Sequence, residues 1–181
     1  GDLVSNMYVE FDPKLAVGTS QTAIAPYFGC GILKEVEVEI GGQRIDKHYS
    51  HWLSTWADLT EPNPTGALGG YSTKWNVDDT NHLGRPTMWQ RMSFNGKQNA
   101  NTGIATNIRT ATVPLQFWFC RNPGLALPLI ALQYHEVKIT IQFEATVNLL
   151  NTPQTSSLSG AKLWADYIYL DTDERRRFAQ V

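Results

Sequence analysis

Hydrophobic and polar residues alternate with a period of two along several stretches of this chain, the pattern of strands that bury one face. Leu3, Met7, Val9 and Phe11 alternate with Val4, Asn6, Tyr8 and Glu10, which predicts an opening strand that stops at Asp12-Pro13. From Ile32, the residues Val36, Val38 and Ile40 alternate with Glu35, Glu37 and Glu39, a second strand turned by Gly41-Gly42. Val113, Leu115, Phe117 and Phe119 face away from Gln116, Trp118 and Cys120, giving a third strand before the turn Asn122-Pro123-Gly124. After Pro128, Val137, Ile139, Ile141 and Phe143 oppose Glu136, Lys138, Thr140, Gln142 and Glu144 in a strand of about ten residues. A polar loop, Asn151 to Gly160, leads to a last strand, Leu163 to Leu170, whose aromatics populate both faces and predict cover on both.

Between these strands the period changes. Ile45, Tyr49, Trp52, Leu53, Trp56 and Leu59 recur at three and four residues, predicting an amphipathic helix over 46–59 with Asp46 as N-cap and the two tryptophans in the core. The stretch 60–112, rich in Asn, Gly, Thr and Pro, reads as a long loop excursion. Its Trp75, Trp89, Met92 and Phe94 imply order, with short strands near 72–76 and 86–94. Asp171 with Glu174 three residues on is an N-cap signature, followed by a short helix through Arg175, Arg176, Arg177, Phe178 and Ala179. Strands, long loops and two short helices make an all-β antiparallel sandwich the expected architecture.

Composition narrows the class. With 181 residues, 42% hydrophobic and 18% charged, the chain has the make-up of one globular domain able to bury a core without disulfides or metal. Fifteen basic against 17 acidic residues give a net charge of −2, without the broad cationic field that direct nucleic-acid binding draws on. The longest charge-free apolar stretch, Pro123 to Tyr134, is interrupted by Pro128 and falls short of the roughly 20 residues of a membrane span; no signal peptide is expected before it. The first residues, Gly1-Asp2, lack an initiator Met and suggest that the functional protein is longer. Cys30 and Cys120 are expected as buried thiols.

Candidate chemistry is sparse. His48 and His51 share a face of the predicted helix but have no Cys or carboxylate beside them at metal-ligand spacing, so a solvated face is expected. His135 and Glu136, neighbours on a strand, point to opposite sides. Glu35, Glu37 and Glu39 read as an outer face that discourages stray edge pairing, and Asp78-Asp79 as turn residues. Gly66-Ala67-Leu68-Gly69-Gly70 lacks the Lys-Ser/Thr ending of a phosphate loop, Ser54 and Ser93 lack a nucleophile elbow, and Pro64 blocks the sequon at Asn63-Pro64-Thr65. No enzyme constellation and no cofactor is predicted. The loop aromatics Tyr71, Trp75 and Trp89 and the run Arg175-Arg176-Arg177, whose charges complement a helix C-terminus, remain as contact candidates.

Specific strings add a resemblance. Val36-Glu37-Val38-Glu39-Ile40-Gly41-Gly42-Gln43, followed by Ile45-Asp46, Tyr49, Trp52 and Trp56, is similar to the major capsid proteins of the nucleocytoplasmic large DNA viruses, in their algal-virus and giant-virus branch. So are Phe117 to Val137, which includes Asn122-Pro123-Gly124-Leu125-Ala126-Leu127-Pro128, and Ala165 to Gln180, with Asp171-Thr172-Asp173-Glu174-Arg175-Arg176-Arg177-Phe178. Gly1-Asp2-Leu3 fits as well.

The resemblance implies a jelly-roll sandwich over 1–181 that holds most of the first of two tandem jelly rolls. Upstream strands and the second jelly roll would lie outside it, with 171–181 as the helix leading onward. It implies a homotrimer forming pseudo-hexagonal capsomers, which meet neighbouring capsomers and minor capsid proteins in an icosahedral shell over an internal membrane that the chain does not span. It further implies a place in the virion, with assembly in the host cytoplasm. Trp75 and Trp89 would then anchor subunit contacts, and Arg175, Arg176 and Arg177 would sit near the joint. The rival readings are a jelly-roll carbohydrate-binding module, its loop aromatics stacking on sugars, and a β-sandwich enzyme.

Overall fold

The computed structural model describes residues 1–15, 27–62, 87–95, 110–149 and 156–179. Its first sheet is organised around β1, Leu3–Leu15, which continues through Asp12-Pro13 because Ser159 and Leu158 pair with those residues. Along one edge β1 pairs antiparallel with β7, Ser156–Ile168, from Leu3 opposite Ile168 to Leu15 opposite Ser156. Its other edge is shared end to end by β4, Ala111–Pro114, opposite Tyr8 to Phe11, and by β5, Leu127–Pro128, opposite Leu3 and Val4. The second sheet has β2, Leu33–Ile40, between β3, Gln43–Tyr49, and β6, Val137–Phe143, all antiparallel.

The alternation read from β1 and β2 places Val9 and Phe11 from one sheet and Val36 and Val38 from the other in a single core, with Ile32, Leu33, Phe117 and Phe119. Phe11 meets Phe143 of β6 edge to face, ring centroids 6.5 Å apart, so the two sheets pack through aromatic contact.

Several expected elements differ. The helix expected over 46–59 is two elements, because Gly41 and Gly42 take positive φ (60° and 81°) and reverse the chain in a two-residue turn, so β3 begins at once. The helix α2 is Ser50–Thr60. Asp46 is a strand residue and Tyr49, in extended backbone, precedes the first turn. Leu53 and Ala57 are the buried residues of α2, while Trp52 and Trp56 lie at the rim and not in the core. The strand expected over 113–120 ends at Pro114 and turns into α4, Trp118–Arg121, although burial still alternates through Val113, Leu115, Phe117 and Phe119. In place of a strand near 86–94 stands the helix α3, Met88–Ser93, opened by a capping box in which the Thr87 hydroxyl accepts from Gln90 N–H and the Gln90 carboxamide accepts from Thr87 N–H. β7 starts at Ser156, inside the expected polar loop. β6 has seven residues, and His135 and Glu136 lie in the turn before it. The C-terminal helix α5, Thr172–Ala179, forms as expected: Asp171 Oδ1 accepts from the N–H groups of Asp173 and Glu174.

Candidate contact surfaces

Trp89 belongs to a clamp that closes one flank of the sandwich. The short helix α1, Phe28–Ile32, runs so close to α3 that a Cβ on Gly29 would fall 1.7 Å from the Ser93 carbonyl oxygen. Phe94, in the left-handed region at φ 59°, directs its carbonyl to Gly29 N–H, and the Asn95 carboxamide oxygen accepts from Cys30 N–H at 2.8 Å. The Trp89 ring lies 6.4 Å from Tyr27, whose hydroxyl donates to Asp58 of α2. Burial, then Asp58, raises the Tyr27 hydroxyl to about 12. Behind Trp89 is a small recess lined by Cys30, Leu53, Ala57, Glu61 and Asn95. Burial raises the Glu61 carboxyl there and pushes the Cys30 thiol up to about 12; Cys120 rises to about 11 for the same reason. Both cysteines are free. Their thiols stay protonated at neutral pH, as packing residues do.

The arginine helix is tied back to the start of the chain. Asp2 Oδ2 accepts from Leu170 N–H at 2.8 Å and pairs with the Arg175 guanidinium at 3.0 Å. The Leu170 hydrogen bond, and after it Arg175 against some burial, holds the Asp2 carboxyl below its ordinary value. Arg176 and Arg177 are exposed. Trp75 lies outside the described residues, as do Tyr71, His82, Asp78-Asp79, the 66–70 glycine run and Asn63-Pro64-Thr65.

Two expectations about charged faces are corrected. Glu35, Glu37 and Glu39 do not guard an edge, because β2 is the middle strand; Glu35 meets Lys47 at 2.7 Å and Glu37 meets Arg44 at 2.8 Å across the β2–β3 ladder. His48 is not on a solvated helix face with His51. It is a strand residue, buried and stacked on Phe117, while His51 is exposed on α2. Among the described residues no three His, Cys, Asp or Glu side chains are grouped to hold a metal ion, and no helix is long and apolar enough to cross a membrane.

The surface that sequence reasoning missed is β7. On its outer side Lys162 and Trp164 both reach Glu10 of β1, at 3.1 and 2.9 Å, and Asp166 accepts from the Asn6 carboxamide at 3.1 Å. On its inner side Leu163 and Tyr167 pair with the core residues Val9 and Val4, yet stay 40% and 53% exposed. Both faces were expected to be covered. Instead the core reaches Leu158 and Ala165 of β7 but leaves Leu163 and Tyr167 as an apolar margin. The available signal was the absence of a polar face in this strand, read as two-sided cover within the chain.

Residues 1–171 match the family model described as major capsid protein N-terminus. The chain is 45% identical over its full length to the major capsid protein of Pyramimonas orientalis virus, covering 40% of that protein. It is 39% identical to that of Paramecium bursaria Chlorella virus 1, covering the whole chain and 36% of the relative. The chain thus spans about two fifths of the length of these curated relatives. Among solved structures, PBCV-1 VP54, fitted into a reconstruction of the virophage Sputnik, covers the whole chain with a TM-score of 0.63 at 35% identity, the chain spanning 38% of it. The quasi-atomic model of the PBCV-1 virus capsid gives 0.64 at 34% identity, again with the whole chain and 38% of the neighbour covered. The two antiparallel sheets are therefore those of a jelly roll, and the relatives are structural proteins, not enzymes.

Proposed function

This chain belongs to the family of viral major capsid proteins, whose N-terminal part it matches, and from that premise we propose that it builds the shell of an icosahedral large DNA virus. The observation that carries the reading is the end-to-end match to capsid proteins at up to 45% identity. In this reading residues 1–181 are most of the first of two jelly rolls, and 171–181 lead to the second. Two jelly rolls per subunit and three subunits per capsomer give a pseudo-hexagonal homotrimer, which packs against neighbouring capsomers and minor capsid proteins in the virion after assembly in the host cytoplasm. The internal viral membrane lies near but is not spanned, and no direct contact with nucleic acid is made.

The exposed inner side of β7 supports the two-domain reading, because a sheet face of Leu163 and Tyr167 left in water is unfavourable and further strands of a longer protein would cover it. The excursion 60–112 supplies subunit contacts, with Trp75 and Trp89 as anchors, and Arg175, Arg176 and Arg177 face the joint. Native mass spectrometry of the protein from its source tests the assembly: trimers of a subunit more than twice the mass of this chain are expected, and a stable monomer of this chain alone would count against it. Trp89→Ala and Trp75→Ala are expected to shift native-mass populations from trimer to monomer, and unchanged trimers in both would remove these residues from the interface.

A further inference from the structure

His48 occupies the corner where β3 passes into α2 and is 4% exposed. Its ring stacks on Phe117, centroids 4.5 Å apart at 24°, and lies 6.1 Å from Trp52 of α2. Nε2 is 3.2 Å from Asp46 Oδ2, and Nδ1 is buried with no partner. In the neutral ring Nε2–H donates to Asp46 while Nδ1 keeps only a lone pair. A second proton would turn Nδ1 into a buried, unpaired donor on a cation, the costlier of the two states.

The surroundings add to that cost. The elements packed against the ring present Asp46 from β3 and Arg121 from α4 as charged groups; Val36 of β2, Trp52 and Phe117 are apolar. Arg121 is held 4.7 Å over Trp56, which lies 5.5 Å from Trp52. A proton on His48 would therefore put cations at both ends of one continuous aromatic row. Burial holds the His48 pKa below the ordinary histidine value; Asp46 opposes this and Arg121 reinforces it.

We propose that His48 is an acid-sensitive latch, whose protonation releases the packing of the β3–α2 corner against Phe117 and α4. The sign follows from linkage. Because the folded ring binds its proton less readily than an exposed histidine, the latch holds fully above about pH 6.5 and weakens as the pH falls below that toward the folded-state value.

Tryptophan emission tests it, since Trp52 and Trp56 lie in the row. In the full-length protein, acidification from pH 8 to pH 4 is expected to red-shift and quench emission with a midpoint below about 6.5, and Trp52→Phe should shrink the change. His48→Gln should abolish the transition. Asp46→Asn should move the midpoint to lower pH and Arg121→Met to higher pH, so the test holds even where the glutamine variant fails to fold. An acid transition of the same midpoint and size in His48→Gln, or one that Asp46→Asn and Arg121→Met leave in place or move in the same direction, would overturn the proposal.

Discussion

β2 and β7 both lie in antiparallel sheets and both turn apolar residues inward, yet those residues have opposite fates. Val36 and Val38 of β2 are fully buried, whereas Leu163 of β7 is 40% exposed although its cross-strand neighbour Val9 is 1% exposed. The difference is one of coverage. An alternating sequence states which side of a strand prefers an apolar neighbour; whether that neighbour is present depends on how far the opposite sheet extends. β2 has partners on both edges and β1 in front of it, while β7 has β1 on one edge and packs Leu158 and Ala165 against the core, leaving Leu163 and Tyr167 largely uncovered.

The sharpest way to break this contrast is to truncate a side chain in each region. Phe11→Ala removes a fully buried ring from between the sheets and should cost about 3–5 kcal/mol, whereas Tyr167→Ala should cost about 1 kcal/mol or less in this chain, both read from chemical denaturation. Equal losses would mean that the margin is covered after all. Gly29→Ala probes the clamp that closes the opposite flank. With a Cβ at 1.7 Å from the Ser93 oxygen, α1 and α3 must separate, and a loss of about 1–3 kcal/mol is expected as a lower melting temperature. A neutral result would show that α1 is not seated on α3.

The smallest effect concerns the tie between the ends of β1 and β7. Asp2 has a depressed pKa, so its contribution is complete above the ordinary carboxylate value of about 3.8 and is lost as the pH falls through the folded-state value. Hydrogen-exchange protection of Leu170 N–H, corrected for intrinsic rates, should therefore fall in acid below about pH 4, and Asp2→Asn should lower it already at neutral pH. Unchanged protection in the variant would separate α5 from this carboxylate.

The elements best read from sequence are those in which one signal dominates. Val36, Val38 and the intervening glutamates define β2, and Asp171 with Glu174 defines the start of α5. Pattern and structure part where two signals overlap. Ile45, Tyr49 and Trp52 meet a helical period by coincidence, but the left-handed Gly41-Gly42 turn commits residues 43–49 to pair with β2, and the register shift between Val38 and Glu39 leaves Ile45 in a bulge. Phe117-Trp118-Phe119-Cys120 alternates in burial while its backbone forms a helical turn, because four residues are too few for the periods to separate. Of the contact candidates, Trp89 proves to be packed on Tyr27 and Arg175 to be engaged by Asp2, links between residues distant in sequence that no local pattern carries. His48 meets the same limit: its stacking partner is Phe117, the extended residue just before α4.

The position of β1 also has a consequence for the order of events during synthesis. Every strand of its sheet joins through β1, and the longest of them, β7, pairs Leu3 with Ile168 and Val4 with Tyr167. β1 is made well before β7 and must wait for it before this sheet can close, and contacts of such sequence separation fold slowly. Through that interval a 13-residue strand with two open edges is a template for its own copies. Residues 1–181 therefore carry an aggregation hazard in β1 during the time before β7 arrives.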